Sequence, residues 1–363
     1  MLEQYGHGGD LETARNLFGI KEPIDFSANI NPLGPPPRLM DILRERLPDI
    51  IHYPDPAKRK LNGKLAWRLG VSPRQIVIGN GAAECMALVL LALKPARVGV
   101  VYPCFSEYEK LAVMFGAEVS ACNGRSSRSY KPDLEDLLKL MRNTELVFIG
   151  QPNNPTGVLY TKNELRILAA EAEQENTYLV IDEAFIDFLP CMEKYTLLSE
   201  LDRFPHVILI RSMTKFYAIP GLRLGYAVAG ADLASRISAM QVTWSVNALA
   251  LAAGEVCLDE ENYEKRTLSL IKRERRKLSR FIRGKLGWTV YPGEANFLLV
   301  RIEGEMTSPA LQQELGGRGI LIRSCAMYPG LTDHHFRIAV RTQEENDMLL
   351  SALKELSDKN SKE

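Results

Sequence analysis

The chain has 363 residues, of which 46% are hydrophobic and 25% charged, proportions that are ordinary for a soluble globular protein with room for two domains. Lysine plus arginine and aspartate plus glutamate each total 45, so the net charge gives no reason to expect nucleic acid or an acidic membrane as a partner. The 6 cysteines form no Cys-x-x-Cys pair and the 5 histidines have no ligand spacing, which predicts reduced thiols and no metal site.

Neither a secretory signal nor a membrane-spanning segment is apparent in the sequence. The N-terminal stretch MLEQYGHGGD lacks the basic and apolar segments of a signal peptide. The longest apolar run, from Cys85 to Leu93, is too short to cross a bilayer. We therefore expect a cytoplasmic protein that does not enter a membrane.

Residues 1–37 are rich in glycine, proline and asparagine, which predicts an extended N-terminal arm. Asn29 and Asn31 form a short polar island in this arm, and their side-chain amides could bind a ligand. A helical period follows at 38–47 and ends at the two prolines of HYPDP, 52–56.

Residues 38–258 repeat a pattern of apolar strand, polar turn and amphipathic helix, which predicts a large α/β domain. Apolar strands that do not alternate with polar residues are typical of a mostly parallel sheet covered by helices on both faces. The polar turns then gather at the carboxyl edge of that sheet, where ligands bind. Strands are predicted at 75–78, 98–102, 146–149, 178–181 and 207–210, and helices at 60–69, 85–93, 105–115, 133–142 and 161–174.

Two turns at this edge carry groups that suit an anion and a nucleophile. The glycine-rich turn GNGAAE precedes an apolar helix, so its backbone amides could cradle an anion, although a tight turn without a ligand fits equally well. The stretch VILIRSMTKFYAIPGLRLGY places Lys215 near Ser212 and Arg223 after a strand. This arrangement offers an amine nucleophile beside an anion site.

Residues 259–363 are predicted to form a smaller α+β domain. A helix containing Trp244 precedes it, and a charged helix from about 259 to 286 joins the two domains. We interpret the basic run KRERRK, with acidic residues just upstream, as the solvated face of that helix. Further strands are predicted at 289–291, 296–302, 319–322 and 336–341, and a helix at 344–355.

Three motifs in this order resemble the fold-type I pyridoxal-phosphate enzymes of the class I/II aminotransferase family. They contain Asn153 in NNPTG, Asp182 in VIDEA, and Ser212, Lys215 and Arg223 in SMTKFYAIPGLRLGY. The resemblance covers essentially the whole chain. It implies pyridoxal 5'-phosphate as cofactor, with a large domain on a mostly parallel sheet and a smaller C-terminal domain.

The resemblance also implies a role for each matching residue. Lys215 would form a Schiff base with the cofactor aldehyde and later move protons. Asp182 would keep the ring nitrogen protonated, and Asn153 would bond the ring hydroxyl. The groups that would hold the cofactor phosphate are Ser212, Arg223 and the backbone at Gly81 and Ala82.

Two aromatic residues complete the implied cofactor site. Phe105 matches the aromatic residue that stacks on the ring, although a core phenylalanine is an equal alternative. Tyr53 matches a tyrosine that reaches the cofactor phosphate from a neighbouring subunit. The active unit would then be a homodimer with its sites at the interface.

Within the family, the chain is similar to histidinol-phosphate aminotransferases and to the threonine-phosphate decarboxylases of cobalamin synthesis. The segments HGG, SANINPLG, DEAFIDF, WSVNALA and ILIRSCAMYPG look like the decarboxylases. Aminotransferases usually have a tyrosine where Phe185 stands, so a hydrogen bond to the ring oxygen is absent here. They also usually have a small residue where Arg341 stands.

The predicted substrate pocket is rich in cations. Arg337 matches the residue that binds the substrate carboxylate, and strand alternation in FRIAVR would place Arg341 on the same face. Arg341 could instead point to solvent or pair with a carboxylate. Candidates for binding a substrate phosphate are His7, Asn31, Arg323 and Arg341.

The expected reaction is decarboxylation of L-threonine O-3-phosphate to aminopropanol phosphate and carbon dioxide. Histidinol-phosphate or another amino-acid aminotransferase is the main alternative, because sequence does not show how the substrate carboxylate is oriented. A catalytically idle cofactor-binding regulatory domain is a third, although no DNA-binding module flanks the chain.

Overall fold

The computed structural model of the chain describes residues 8–360. Most strands of the large domain lie within one or two residues of their predicted positions. The strands are β1 (Ile24–Asp25), β2 (Ile76–Gly79), β3 (Arg97–Tyr102), β4 (Glu118–Asn123), β5 (Leu146–Gly150), β6 (Tyr178–Asp182), β7 (Val207–Ser212), β8 (Gly225–Ala229), β9 (Thr289–Val290), β10 (Phe297–Arg301), β11 (Ile320–Leu321), β12 (Arg323–Ser324) and β13 (His335–Ala339).

Several helices begin at residues whose side chains cap the first turn. Thr161 and Glu164 form a capping box at the start of one helix, and Asn247 accepts a hydrogen bond from the Ala250 amide at another. The helices are α1 (Leu11–Phe18), α2 (Pro37–Arg46), α3 (Arg59–Leu69), α4 (Ala82–Leu93), α5 (Glu107–Met114), α6 (Leu134–Arg142), α7 (Lys162–Gln174), α8 (Met213–Phe216), α9 (Ala231–Ser238), α10 (Ala248–Cys257), α11 (Glu261–Phe281), α12 (Ser308–Gly316) and α13 (Gln343–Asn360).

The central sheet has the strand order β2-β8-β7-β6-β5-β3-β4. Its strands from β7 to β4 are parallel, whereas β8 is antiparallel to both of its neighbours. The predicted α/β fold with a mostly parallel sheet is confirmed. Because β5, β6 and β7 run in the same direction, the residues that follow them meet at one edge.

Side chains of the central strands alternate between two apolar clusters, one on each face of the sheet. Ile149, Ile181 and Leu209 belong to one cluster, whereas Phe148 and Val180 belong to the other. Every residue of β5 and β7 is buried. This explains why these strands have no polar alternation, since both of their faces are covered.

Gly225 is the point where three strands meet. It pairs with Ser212 of β7 on one side and with Gly79 of β2 on the other. A Cβ atom at Gly225 would lie 2.6 Å from the backbone nitrogen of Ala82. Only glycine therefore lets β8 approach the turn that leads into α4.

A smaller antiparallel sheet has the order β12-β13-β10-β9 and lies entirely within the predicted small domain. Residues 24–26 of the arm are hydrogen-bonded to this part of the chain, because β1 pairs in parallel with β11 and the Ala339 amide donates to the Phe26 carbonyl. The boundaries 1–37, 38–258 and 259–363 themselves stay a prediction.

Three local predictions differ from the structure. The arm contains α1 rather than only extended chain, because Asp10 caps that helix and Gly19 ends it. Trp244 lies in a turn with φ of 60° between α9 and α10, not in a helix. The strand predicted at 336–341 ends at Ala339, so strand alternation does not extend to Arg341.

The long helix α11 contacts both parts of the fold, and Lys272, Arg273 and Arg276 of its basic run are exposed, as predicted for a solvated face. Arg273 pairs with Glu274 of the same run, and Lys277 pairs with Asp347 of α13. Glu264 pairs with Arg68 of α3, and the preceding Asp259 pairs with Lys64. Glu274 is buried and accepts a hydrogen bond from Asn346 of α13. Across residues 8–360, no helix is both long enough and apolar enough to span a membrane.

Candidate active site

A cavity of about 340 Å³ lies at the carboxyl ends of β6 and β7, where the arm and the small sheet meet the central sheet. Its lining combines polar and basic side chains with aromatic rings. Side chains that line it include Asn29, Phe105, Asn154, Asp182, Phe185, Ser212, Thr214, Lys215, Arg223, Arg323, Tyr328 and Arg337.

Lys215 lies in the short helix α8, directly after β7. Ser212 caps this helix, because its hydroxyl accepts a hydrogen bond from the Thr214 amide. Burial, together with the nearby charges of Arg337 and Arg223, lowers the pKa of Lys215 to about 8. The amine is therefore more often unprotonated near neutral pH than an exposed lysine, as a nucleophile requires.

Asp182 is the last residue of β6 and lies at the floor of the cavity. Its Oδ2 accepts a hydrogen bond of 2.7 Å from the Tyr108 hydroxyl, and its Oδ1 accepts one of 3.0 Å from the Ala184 amide. Burial raises the pKa of Asp182 to about 6, although both hydrogen bonds act in the opposite direction. Such a buried carboxylate suits a cationic N–H group above it.

Tyr108 is a site residue that sequence analysis missed. It lies in α5, and its ring stacks on Phe148 with 5.0 Å between the ring centres. The only sequence signal was its position in the turn and helix after a strand that ends at the same sheet edge.

An anion cradle forms where α4 begins, close to Arg223. Gly81 has a φ of +86°, and a Cβ atom there would lie 2.7 Å from Nη2 of Arg223. The hydroxyl groups of Ser212 and Thr214 lie 2.8 Å apart and line the same cavity. The amides at the start of a 12-residue helix, two hydroxyls and a guanidinium together form a site for a phosphate group.

The structure brings Asn154, rather than the predicted Asn153, to the cavity. Both amide hydrogens of Asn153 are used within the protein, since Nδ2 lies 2.9 Å from the Pro103 carbonyl in the turn after β3 and 2.9 Å from the Thr156 hydroxyl of its own loop. The Asn154 side chain lines the cavity and accepts a hydrogen bond from Arg337. The motif contains two adjacent asparagines, and sequence alone did not distinguish them.

Arg337 and Arg323 are buried in adjacent strands and both line the cavity. Nη2 of Arg337 donates a hydrogen bond of 2.6 Å to the Ser27 carbonyl, which ties it to the arm. Its guanidinium also lies 5.5 Å from the Phe297 ring centre, and burial lowers its pKa. The guanidinium of Arg323 lies 5.6 Å from the ring centre of Tyr328.

Arg341, in contrast, does not line this cavity. Nη2 of Arg341 lies 2.7 Å from Oε1 of Glu345, and Nη1 donates a hydrogen bond of 3.0 Å to the Asp25 carbonyl. Its guanidinium lies 5.9 Å from the Phe26 ring centre. Of the arrangements considered from sequence, the structure therefore shows the pairing with a carboxylate.

The arm contributes Asn29 to the cavity, whereas Asn31 points elsewhere. Within residues 8–360, Oδ1 of Asn29 is buried without a hydrogen-bond partner and is available to a ligand. Nδ2 of Asn31 donates instead to the Phe216 carbonyl and the Thr267 hydroxyl. His7, the third predicted residue of the arm, lies outside the described residues.

The aromatic candidates occupy two different places. Phe105 and Phe185 line the cavity, and Phe105 packs edge-on against Tyr108. Tyr53 lies on the surface, where 78% of the residue is exposed, and its ring stacks on Trp244 with 4.4 Å between the ring centres.

Gly81 was predicted from the sequence to form the phosphate cradle together with Ala82. In the structure it lies beside Arg223, as described above.

A family model described as aminotransferase class I and II matches residues 21–353. The chain belongs to this family. Enzymes of the family depend on pyridoxal 5'-phosphate, and the resemblance seen in the sequence is confirmed.

Three similar proteins include both groups that the sequence resembles. A threonine-phosphate decarboxylase from Salmonella typhimurium is 39% identical over 351 residues, which cover 96% of this chain and 95% of that protein. The crystal structure of L-threonine-O-3-phosphate decarboxylase from Porphyromonas gingivalis has a TM-score of 0.82 and 26% identity, covering 92% of this chain and 99% of that chain. Histidinol-phosphate aminotransferase from Sinorhizobium meliloti, solved with pyridoxal 5'-phosphate, has a TM-score of 0.87 and 26% identity, covering 96% and 94%.

The cavity fits the cofactor of the family. The cradle at Gly81 has the size and charge for a phosphate, and a side chain there would fill it. Asp182 provides a buried carboxylate, and Lys215 provides an amine with a lowered pKa. The protein is thus a pyridoxal-phosphate-dependent enzyme.

Proposed function

We propose that this protein decarboxylates L-threonine O-3-phosphate to (R)-1-amino-2-propanol O-2-phosphate and carbon dioxide in cobalamin biosynthesis. The observation that carries the proposal is the presence of two buried arginines, Arg323 and Arg337, in the same cavity as Lys215. Because Arg223 lies at the cradle for the cofactor phosphate, these two remain for a substrate with both a carboxylate and a phosphate. The similarity to the decarboxylase from Salmonella typhimurium supports this choice.

The arginines have different surroundings, which suggests a division of roles. Arg337 is fixed by Asn154 and by the Ser27 carbonyl, so it can hold a carboxylate in one orientation. We assign the substrate phosphate to Arg323 and Asn29, which line the cavity. Arg341 acts on the arm rather than on the substrate in this proposal, because it is bound to Glu345 and Asp25.

The residues around the cofactor control where protons and charges lie during the reaction. When bound, pyridoxal 5'-phosphate supplies an aldehyde for Lys215 and a ring that stabilises negative charge at the substrate α carbon. Asp182 would hold the proton on the ring nitrogen, and Asn154, which lines the cavity, would bond the ring oxygen. Lys215 would act as the proton donor to the substrate α carbon.

The orientation of the substrate carboxylate decides between decarboxylation and transamination. Arg337, which is held by Asn154 and the Ser27 carbonyl, would favour decarboxylation by fixing the carboxylate in the orientation from which carbon dioxide leaves. Phe185, which packs edge-on against Phe297, offers no hydroxyl to the ring oxygen.

Transamination of histidinol phosphate is the second candidate function. It is favoured by the similarity to the Sinorhizobium meliloti aminotransferase, whose TM-score of 0.87 exceeds the 0.82 of the decarboxylase structure. A cavity with two buried arginines could also accept that phosphorylated substrate. The two reactions differ in their co-substrates, because transamination requires a keto acid and decarboxylation does not.

We also propose a homodimer in which Tyr53 reaches the cofactor phosphate of the partner subunit. Large apolar side chains are exposed around Tyr53, and such a cluster is typical of a subunit interface. They are Leu47, Ile50, Ile51, Val242 and Trp244, with exposed fractions from 45% to 79%.

The test is to incubate the loaded enzyme with L-threonine O-3-phosphate without a keto acid, and to measure carbon dioxide and the mass of the amine product. We expect stoichiometric carbon dioxide and aminopropanol phosphate with the wild-type enzyme, and neither with Lys215→Ala. The proposal would be contradicted if histidinol phosphate transferred its amino group to the cofactor and formed pyridoxamine phosphate, while threonine phosphate released no carbon dioxide. Absence of any turnover would leave the idle regulatory domain as the explanation.

A further inference from the structure

Asn31 is buried in the arm, and every polar atom of its side chain is hydrogen-bonded. Its Nδ2 donates bonds of 2.8 Å to the Phe216 carbonyl and 2.8 Å to the Thr267 hydroxyl. Its Oδ1 accepts a bond of 3.1 Å from the Leu33 amide. The side chain therefore has no remaining donor with which to bind a substrate phosphate.

The backbone of Asn31 contacts the lysine helix directly. Its amide donates a hydrogen bond of 3.0 Å to the Lys215 carbonyl, one residue before the Phe216 carbonyl that its side chain binds. Helix α8 has only four residues, so its own hydrogen bonds fix it poorly, and donors from outside the helix reach the carbonyls of Lys215 and Phe216. Asn31 supplies two of these donors.

Thr267 and Tyr263 of α11 extend this contact to a third element. Thr267 is fully buried, and the Tyr263 hydroxyl lies 2.7 Å from the Gly34 carbonyl and 3.1 Å from the Phe216 carbonyl. The arm, α8 and α11 thus meet at the Asn31 amide. Because Asn31 is hydrogen-bonded to both α8 and α11, it fixes the positions of these two helices relative to the arm.

We infer that Asn31, together with Thr267, is a positioning residue that fixes the helix of Lys215 and thereby the direction of its amine into the cavity. The inference deepens the proposed function, because it concerns the lysine on which that function rests. It differs from the role given to Asn31 by sequence analysis, which was contact with the substrate phosphate. The two roles differ in what happens when no substrate is present.

The first experiment follows cofactor capture without substrate. The full chain is stripped of pyridoxal 5'-phosphate and reloaded at several pH values, and the absorbance of the lysine-bound cofactor is recorded over time. Capture requires the unprotonated amine. Loosening α8 exposes the Lys215 amine to water, which raises its pKa from about 8 towards its usual value.

For Asn31→Ala we expect capture at pH 7.5 to slow by about tenfold and its pH midpoint to rise by about one unit. Thr267→Val retains the size of the side chain but removes the acceptor for Asn31, and we expect a smaller shift in the same direction. The double variant should shift the midpoint no further than Asn31→Ala, because both changes break one network.

Thr177→Val is the matched control. Thr177 is equally buried and bonds the Met141 and Thr144 carbonyls, far from α8 in the chain, so it reports the cost of losing a buried hydroxyl. We expect it to lower the unfolding temperature without moving the pH midpoint of capture. An equal shift in this control, or no shift in either network variant, would overturn the inference.

Steady-state kinetics with L-threonine O-3-phosphate provide a second measurement. We expect kcat to fall in Asn31→Ala while KM changes by less than about twofold, since the interaction lost is not with the substrate. A raised KM with normal cofactor capture would overturn the inference in favour of a phosphate contact. If the wild-type enzyme released no carbon dioxide, the proposed function would fail, whereas the capture experiment would still test the positioning role.

Discussion

The Tyr108 hydroxyl donates a hydrogen bond of 2.7 Å to the buried carboxylate of Asp182. This bond favours the charged form of Asp182, while burial disfavours it and raises its pKa to about 6. The carboxylate is therefore ionised at neutral pH by a narrow margin. A cofactor ring that needs this negative charge depends on Tyr108, although the two residues are far apart in sequence.

Replacing Tyr108 with phenylalanine should raise the pKa of Asp182 above about 6, because the bond to the ionised form is lost. We expect activity at pH 7 to fall by about tenfold, which corresponds to about 1.5 kcal/mol for a hydrogen bond to a charged group. The acid limb of the pH–rate profile should move to higher pH. Tyr102→Phe removes a hydroxyl bonded to Glu109 and serves as control, so equal profiles for both variants would contradict the expectation.

Asp182→Asn should abolish activity but stabilise the cofactor-free protein. The folded-state pKa of about 6 lies above the unfolded value of 3.8, so ionisation of Asp182 opposes folding above pH 6. Removing the charge should raise the free energy of unfolding at pH 7.5 by about 2 kcal/mol. The difference in the free energy of unfolding between the variant and the wild type should shrink as the pH falls from 6 towards 4. In this range the native wild-type carboxylate becomes protonated, so neither protein buries a charge at this position. Urea unfolding at pH 7.5 and pH 4.5 measures both values, and a gain independent of pH would exclude this cause.

The adjacent asparagines of NNPTG should have separable roles. Asn154→Ala removes the acceptor for Arg337, and we expect kcat/KM to fall by about tenfold or more with little change in stability. Asn153→Ala removes two buried hydrogen bonds, to the Pro103 carbonyl and to the Thr156 hydroxyl, and should mainly lower the unfolding temperature. A kinetic defect confined to Asn153→Ala would restore the assignment made from sequence.

Arg341→Met and Glu345→Gln should have similar effects, because each breaks the same pair. We expect a loss of about 1 kcal/mol in the free energy of unfolding as the arm loosens at Asp25, without a selective change in affinity for phosphorylated substrate. The measurement compares KM for L-threonine O-3-phosphate in the two variants. A large rise in KM for Arg341→Met alone would instead indicate direct contact with the substrate.

The homodimer can be tested by placing a charge in the exposed apolar cluster around Tyr53. Trp244→Glu should shift the protein towards a monomer in analytical ultracentrifugation, because a buried charge without a partner opposes association. Met348→Glu, on the exposed face of α13, is the control and should leave the mass unchanged. Wild-type protein that sediments as a monomer would exclude the proposed interface.

Sequence patterns were sufficient to predict the parallel strands β3, β5, β6 and β7, but not the partly exposed edge strand β4. Strands such as β5 and β7 are buried on both faces, so their apolar runs were unambiguous. The antiparallel strand β8 is absent from the predicted strands, and its direction is set by the loop that precedes it rather than by composition. Trp244 was assigned to a helix because hydrophobic periodicity does not reveal the φ of 60° that places this residue in a turn.

The candidate site was predictable where a residue follows a strand. Asp182 is the last residue of β6 and Lys215 lies shortly after β7, and the structure places both in one cavity. The arm was harder, because Asn29 and Asn31 are two residues apart and only their tertiary contacts distinguish a cavity residue from a buried one. Arg341 was misjudged for a similar reason, since its strand ends two residues earlier.

The pairing of Gly225 with both Gly79 and Ser212 has a mechanical consequence for the enzyme cycle. The turn that would hold the cofactor phosphate and the strand that leads to Lys215 are joined through one residue, so we expect them to keep their relative positions during turnover. A movement of the small sheet that carries Arg337 away must break its hydrogen bond to Asn154, but it need not disturb the turn or the strand. We therefore expect the cofactor to stay bound when product leaves.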